Sequence, residues 1–371
     1  MERNSRIIIS GGGTGGHVFP AIAIADALRD REEGVSILFV GADHKMEMER
    51  VPAAGYSIVG LPVTGFQRRI TLKNVAFLYK LFISMLRAKK IINDFRPDAV
   101  VGVGGYASGP VVRAASSKGI PVLIQEQNSY AGVTNRLLAE KASLICVAYE
   151  GMDRYFPGEK IVLTGNPVRR DLVGLHTKRE EALSWFGISG ERRVILVVGG
   201  SLGAKSINSG VIQNIEKIGE SGVDVIWQTG KTGIGAAREI TGKYGYENIM
   251  AHEFISRMDL AYAAADLVVS RAGAGTISEL CLTAKPSILV PSPNVAEDHQ
   301  TKNAMALVER EAAVMIADNE LEGRLVQFAL DLVNNDRRLE ELSRNIAAMA
   351  LPDSAAKIAD EIFKLIQKAE N

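Results

Sequence analysis

A chain of 371 residues with 43 basic and 43 acidic side chains is too long for one ordinary hydrophobic core and implies two domains, and its zero net charge excludes a nucleic-acid binder driven by bulk electrostatics. Hydrophobic residues at 47%, charged residues at 23% and 36 glycines beside only 12 prolines exclude a disordered chain. Two distant cysteines in apolar surroundings, Cys146 and Cys281, read as buried reduced thiols of a cytoplasmic protein; the three-isoleucine run near the start is too short for a signal-peptide core, and no apolar run reaches membrane-spanning length.

Arg6 to Ser10 predicts a buried strand that runs into Gly11-Gly12-Gly13-Thr14-Gly15-Gly16 and then a helix over Ala21 to Arg29. Gly11, Gly13 and Gly16 have the spacing of a dinucleotide fingerprint, in which missing side chains let the backbone approach a pyrophosphate or sugar. The window is not a Walker loop, because His17 and Val18 stand where a lysine and a Ser or Thr would grip a triphosphate and its magnesium. His17 instead puts an imidazole that titrates near neutrality at the mouth of a polar loop. The next strand, Val35 to Val40, ends in Gly41-Ala42-Asp43, and Asp43 comes too late to hold the ribose of an NAD cofactor.

From Phe66 to Arg96 eight cations, among them Lys73, Lys80 and Arg87, oppose Asp94 alone. Leu78, Phe82, Met85 and Leu86 recur between them at helical spacing. Two readings stand side by side: a helix packed on its own sheet with a solvated basic face, or a peripheral contact with an anionic membrane surface. A second strand and glycine loop follow, Asp98 to Gly102 and Gly104-Gly105-Tyr106, on a neighbouring parallel strand that would face the same crevice as the first. Pro121 to Ile124 leads into Gln125-Glu126-Gln127-Asn128, which is either capping for a helix from near Gly132 or part of a site. Leu144 to Ala148 reads as the last strand of the first lobe, and Gly165-Asn166-Pro167 as the joint out of it.

The second half repeats the pattern twice more. Arg193 to Val198 runs into Gly199-Gly200-Ser201-Leu202-Gly203, and Leu267 to Ser270 into Gly273-Ala274-Gly275-Thr276. Further strands are expected at Val223 to Gln228, Asn248 to Ala251 and Ser287 to Val290. The count gives an α/β protein of two doubly wound parallel-sheet lobes, each with two glycine loops. Around Thr276 a helix begins, so free N–H groups and the positive dipole end of Ala274, Gly275, Thr276, Ile277 and Ser278 suit an anionic diphosphate. Glu279, placed in the first turn, either favours that dipole or accepts two ribose hydroxyls. The closing helix, with Ile358, Ile362, Leu365 and Ile366, has an ordinary packing stripe.

With these residues in view the chain resembles, over nearly its whole length, the MurG family of inverting glycosyltransferases, which convert lipid I to lipid II in bacterial cell-wall synthesis. Gly12 to Pro20, Gly104-Gly105-Tyr106 with Ser108-Gly109-Pro110, Glu126-Gln127-Asn128, Thr164 to Arg169 and Gly199-Gly200-Ser201 carry the likeness, in that family's order. The resemblance implies a GT-B architecture, two Rossmann-like domains facing across a cleft, with residues 1–165 on the acceptor and membrane side, 166–345 holding UDP-N-acetylglucosamine, and 346–371 returning to the first domain. It implies Arg169 and Ser201 at the diphosphate, Ile255 presenting backbone to the uracil, Glu279 on the ribose hydroxyls and Gln300 on the donor. Thr14, Gly15, Gly16 and Asn128 are then expected to face the transferred sugar, and Gly104, Gly105, Tyr106 and Glu126 the acceptor. Three departures stand out: Leu202 and His299 where members carry glutamine, and Gln125 where a histidine often precedes Glu126. Also implied are a peripheral place on the cytoplasmic face of the plasma membrane and protein partners of cell-wall synthesis.

The expected reaction is displacement at the sugar C1 by the C4 hydroxyl of the lipid-linked muramyl acceptor, with UDP leaving. His17 is the candidate general base; its alternative is to orient the loop or bond the donor. The chain has no Asp-x-Asp pair, so no metal or other cofactor is expected. The rival classes are a UDP-sugar epimerase on the same two lobes, an NAD enzyme, and a non-catalytic sensor of nucleotide sugars.

Overall fold

Runs of Ile and Val without alternating polar residues belong to strands covered on both faces, which is the condition of a parallel sheet between helices. The computed structural model describes residues 4–63, 72–168, 172, 174–200, 202–295, 298–321 and 323–370. The chain divides into two units, Met1–Arg169 with Leu351–Asn371, and Arg170–Ala350. Arg68, Arg69, Arg169 and Ser201 lie outside the described residues, as do the side chains of Lys73 and Leu78.

In unit 1 the elements run β1 (Arg6–Ser10), α1 (Gly15–Arg31), β2 (Ser36–Ala42), α2 (Glu47–Ala53), β3 (Ser57–Leu61), α3 (Leu72–Phe95), β4 (Ala99–Gly102), α4 (Ser108–Ser116), β5 (Val122–Glu126), α5 (Val133–Leu138), β6 (Leu144–Val147) and β7 (Ile161–Leu163). The strands form one seven-stranded parallel sheet in the order β3-β2-β1-β4-β5-β6-β7. The period of two decides which face each residue serves: Ile7 and Ile9 enter one core, Ile8 the other. A further helix from the end of the chain, Ser354–Glu370, lays Ile358, Ala359 and Ile362 into the first of these cores beside α1, and Arg31 pairs with Asp360 at 2.9 Å.

Unit 2 runs α6 (Arg179–Phe186), β8 (Val194–Val198), α7 (Lys205–Gln213), α8 (Ile215–Gly219), β9 (Asp224–Gln228), α9 (Ile234–Tyr244), β10 (Ile249–His252), α10 (Met258–Ala264), β11 (Leu267–Ser270), α11 (Ala274–Leu282), β12 (Ser287–Leu289), α12 (His299–Val308), β13 (Val314–Met315), α13 (Leu325–Val333) and α14 (Asp336–Ala347), which leaves the helix at Ser354–Glu370 as α15. Its six strands are parallel in the order β10-β9-β8-β11-β12-β13. In both sheets the strand order reverses beside the first strand of the unit, between β1 and β4 and between β8 and β11, and open α/β sheets bind ligands at the carboxyl ends of strands there.

Three strands depart from the sequence reading. The β6 strand is not the last of its sheet, because Ile161–Leu163 pairs with it in register Ile145↔Ile161. The edge strand β3 alternates exposed and half-buried residues, and β13 has two residues, so neither carries an apolar run. Helix α1 also starts earlier than expected, at Gly15, since the sharp turn is completed at Gly12 and Gly13.

The edge strand β10 carries a histidine whose burial bears on acid stability. His252 stands edge-on against Phe186, with ring centroids 5.7 Å apart, and its Nε2 is buried without a hydrogen-bond partner. Burial lowers its pKa below the ordinary histidine value, so the unfolded chain takes up the proton first. The stability this neutral ring contributes is present above the unfolded value of 6.5 and is lost as pH falls from there through the lower folded value. Thermal melting between pH 7 and 5 is expected to show a falling Tm, and His252→Phe, which keeps a ring against Phe186, to flatten that fall. An unchanged slope in the variant would remove His252 from the account.

Candidate active site

At the reversal in unit 1 the loop after β1 and the loop after β4 pack directly on each other. A Cβ on Gly105 would lie 2.4 Å from the Gly12 carbonyl oxygen, and one on Gly12, whose φ is +147°, would lie 2.1 Å from Glu47 Oε1. Only glycine permits both approaches. The structure thus brings together the two loops that the sequence set on neighbouring strands.

His17 stands in the first turn of α1, two residues beyond Gly15. Its Nδ1 lies 3.1 Å from the Gly12 carbonyl oxygen and 3.4 Å from Thr14 Oγ1. A carbonyl can only accept, so Nδ1 donates in that bond and the neutral ring keeps its lone pair on Nε2. Gly104 runs beneath that edge of the ring, where a Cβ would come 2.9 Å from Nε2. Thr14 is the extended N-cap of α1, and Gly15 and Gly16 are its first helical residues, whose N–H groups open the helix. Tyr106 projects from the second loop and is exposed.

The polar run after β5 proves to be an internal scaffold. Glu126 is 1% exposed, and its carboxylate accepts from Asn128 N at 3.1 Å, Asn128 Nδ2 at 3.2 Å, Gly132 N at 2.9 Å and Asn135 Nδ2 at 2.9 Å. It therefore stands behind half-buried Asn128, with buried Asn135 beside it, rather than on the surface. Gln127 Nε2 donates to Gln125 Oε1 and to the Val103 carbonyl at 2.8 Å, and Asn166 Nδ2 donates to the Gln127 carbonyl at 2.9 Å, so this network also ties β5 to the loop after β4. Capping thus engages Glu126, and the other members order the loops.

In unit 2 the loop after β8 locks against the end of β9. A Cβ on Gly203 would meet the Thr229 carbonyl oxygen at 2.0 Å, and one on Gly230 the Leu202 carbonyl oxygen at 2.3 Å. Buried Gln228 donates to the Gly200 carbonyl at 3.0 Å and accepts the Ile255 N–H at 2.9 Å. The Ile255 amide is therefore already engaged by Gln228. Leu202 is 81% exposed.

Helix α11 starts at Ala274 behind Gly273 as N-cap, with no side-chain cap and no acidic residue in its first turn. Glu279 consequently stands in the second turn, beyond the reach of a simple dipole effect. Its Oε2 accepts from the Tyr262 hydroxyl of α10 at 2.9 Å, which fixes the carboxylate's direction. Ile277 is buried and its N–H caps back to the Gly273 carbonyl at 3.0 Å, while Ser278 Oγ donates to the Ala274 carbonyl at 3.0 Å. Those two positions thus serve the helix itself, and Gly275 and Thr276 remain at its half-buried open end. Gln300, in α12, accepts the Ser292 N–H at 2.8 Å and so orders the turn after β12. Arg271 fastens the same end of the sheet, donating to the Val290 and Pro291 carbonyls, Ser206 Oγ and Asp318.

Residues 7–147 match the glycosyltransferase family 28 N-terminal domain, and residues 194–358 match the C-terminal domain of the same family. A protein of Parabacteroides distasonis named UDP-N-acetylglucosamine--N-acetylmuramyl-(pentapeptide) pyrophosphoryl-undecaprenol N-acetylglucosamine transferase is 59% identical over 99% of this chain and 100% of its own length. A protein of the same name from Phocaeicola vulgatus is also 59% identical, over 99% of this chain and 98% of its own. The chain belongs to the MurG family of glycosyltransferases. The crystal structure of Acinetobacter baumannii MurG, 28% identical, superposes with a TM-score of 0.77 over 97% of this chain and 99% of that one. The UDP-GlcNAc 2-epimerase of Neisseria meningitidis reaches a TM-score of 0.67 over 98% of this chain and 100% of its own at 13% identity, a likeness of fold alone.

Unit 1 carries one more feature beside its loops. Helix α3 rests on its unit through Ser84, Ala88 and Ile92, spaced four residues apart, whereas Phe82 is 61% exposed and Leu86 is also exposed. The helix thus packs on its unit through one face and exposes part of its apolar stripe at Phe82 and Leu86, so both sequence readings stand. Phe82, Met85 and Leu86 line a groove of about 950 Å³ with Tyr106 and Pro110 of the second loop and Leu137 of α5. Lys89, Arg113 and Lys141 also line it, and Lys80 is exposed on the same helix; Arg87 faces Asp43 at 3.9 Å. No helix among the described residues is long and apolar enough to cross a membrane, and no cluster of His, Cys, Asp and Glu among them is placed to hold a metal ion. Cys146 and Cys281 are buried free thiols.

Proposed function

We propose that this chain transfers N-acetylglucosamine from UDP-N-acetylglucosamine to the C4 hydroxyl of the muramyl sugar of lipid I, with inversion at C1, giving lipid II and UDP for peptidoglycan synthesis. The observation that carries the reading is full-length likeness at 59% identity to transferases named for this donor and acceptor, in a chain whose glycine loops stand where the strand order reverses in each sheet. In this reading unit 2 holds the donor: the open N-terminus of α11 receives the diphosphate, with Arg169 and Ser201 adding to it, and Glu279 takes the ribose hydroxyls. Unit 1 supplies the base. The acceptor oxygen attacks C1, the bond from C1 to the diphosphate oxygen breaks, and the acceptor proton passes to His17 Nε2. Charge that develops on the leaving UDP meets fixed backbone donors, which need no reorganisation as the reaction proceeds.

The test is incubation of the protein with radiolabelled UDP-N-acetylglucosamine and a soluble lipid I analogue. Disaccharide plus UDP is the expected product. Release of an epimer, or binding without turnover, would replace the reading with one of its rivals. The epimerase reading does not account for an exposed apolar helix face with cations around it.

In the same reading that face rests on the cytoplasmic surface of the plasma membrane, which the exposed Phe82 and Leu86 beside Lys80 and Lys89 support. Apolar side chains enter the interface while cations meet anionic lipid, at about 1 kcal/mol for each Lys or Arg near the surface. Replacement of Phe82 and Met85 by Ser is expected to shift most of the protein from the floating to the bottom fraction with anionic vesicles, without loss of turnover on a soluble acceptor. Undiminished flotation would place membrane contact elsewhere.

A further inference from the structure

The peptide group that joins Gly12 to Gly13 makes two hydrogen bonds in opposite directions. Its N–H donates to Glu47, 3.0 Å from each carboxylate oxygen. Its carbonyl oxygen accepts from His17 Nδ1 at 3.1 Å. Glu47 opens α2 and is 1% exposed, and its Oε1 also accepts the Ala42 N–H at 2.9 Å.

We propose that Glu47, this one peptide group and His17 form a single polarised chain in which Glu47 is a positioning residue for the base. The carboxylate draws on the Gly13 N–H, the Gly12 carbonyl oxygen gains negative character, and that oxygen holds the Nδ1 proton. The same oxygen stabilises the positive charge the ring acquires when Nε2 takes up the acceptor proton. The inference rests on the reading of His17 as that base.

The packing around the chain is built for it. Three glycines from three segments vacate the space: a Cβ on Gly12 would strike Glu47 Oε1 at 2.1 Å, one on Gly41 would strike Glu47 Cγ at 2.6 Å, and one on Gly105 would strike the Gly12 carbonyl oxygen at 2.4 Å. A carboxylate that served only its own helix would cap α2. Glu47 instead reaches a loop 34 residues earlier and meets it through the peptide that His17 uses. The other charged groups nearby are Asp43, against Gly60 beside Gly41 in register and opposite Arg87, and Glu126, behind Asn135, whose amide shares the Gly104 approach with His17. Both carboxylates remain when Glu47 is changed, so an effect of that change reports on Glu47.

The experiment uses the full chain with ¹⁵N-labelled backbone and histidine rings, with His17→Ala supplying the assignment of the ring. In the native protein the Gly13 amide signal is expected to follow the titration of His17, with the neutral ring protonated at Nδ1. In Glu47→Gln the pH at which His17 titrates falls by about 0.5–1 unit. The acid limb of kcat/KM moves down with it, kcat drops about ten-fold and the KM for UDP-N-acetylglucosamine stays within about two-fold. Glu47→Asp, which keeps the charge on a shorter arm, recovers part of the shift. A Gly13 amide indifferent to His17 in the native protein overturns the proposal even if the variants do not fold, and so does a His17 titration unmoved in Glu47→Gln. A titration that shifts while the acid limb stays in place upholds the chain and removes His17 as the base, so the two failures are distinguishable.

Discussion

Exchange of His17 for alanine is expected to lower kcat by about 10²–10⁴ while the affinity for UDP-N-acetylglucosamine changes by less than about three-fold. The size follows from what the imidazole alone supplies. A sugar hydroxyl is a poor nucleophile until its proton has somewhere to go, and unit 1 offers a ring whose Nδ1 is committed to the Gly12 carbonyl at 3.1 Å and whose other nitrogen therefore accepts. Loss of an interaction made only as the proton moves reduces kcat and kcat/KM together and leaves ground-state binding in place. Stopped-time assays over a range of pH with calorimetric donor binding give both numbers. The acid limb of the native kcat/KM profile should vanish in the variant, because the group that had to be neutral is gone. Near-normal turnover with donor binding intact would leave His17 the lesser part of holding its loop.

The fold was legible where a strand is covered on both faces, because burial leaves a run of apolar residues no helix of that length would need. Ile7 to Ile9, Val194 to Val198 and Leu267 to Val269 each announce such a strand, and the glycines that follow announce the turn. Edge strands were not: β3 and β13 bury one face or almost nothing, and β7 adds only three residues to an exposed rim. Helix starts were misjudged at α1 and α11 for a shared reason, since Gly15, Gly16 and Gly275 weaken the helical signal in the first turn. Residues proposed to act directly, such as His17 and Glu279, stand out by chemistry at a loop or helix mouth. Those that hold them do not. Glu47 reads as an ordinary acidic residue in a first turn, Gln228 as the polar end of a strand, and Tyr262 as one more core aromatic of α10, because their roles depend on contacts across 17 to 34 residues of chain. Asn135 gave a faint signal, a polar residue on the buried side of a short helix.

Those supporting contacts set the size of the second effect. Glu279→Ala is expected to raise the KM for UDP-N-acetylglucosamine by about 10²–10⁴ with kcat changed only a few-fold, since two hydrogen bonds to a charged group are each worth about 1.5–3 kcal/mol. The carboxylate stands in the second turn of α11, where the helix dipole has largely faded, so its place there is not explained by helix stability. The Tyr262 hydroxyl binds Oε2 at 2.9 Å and turns the group in one direction, which spares the donor the entropy of ordering it. Tyr262→Phe should therefore raise KM by about five-fold, the value of one neutral donor lost from an otherwise intact site. A donor lacking the ribose 2′-hydroxyl separates ribose recognition from general damage. The native enzyme should discriminate against it strongly, while Glu279→Ala, having no carboxylate to leave unpaired, should treat the two donors nearly alike. If the alanine variant keeps the native preference between them, the ribose is recognised elsewhere and Glu279 serves the packing of α10 on α11.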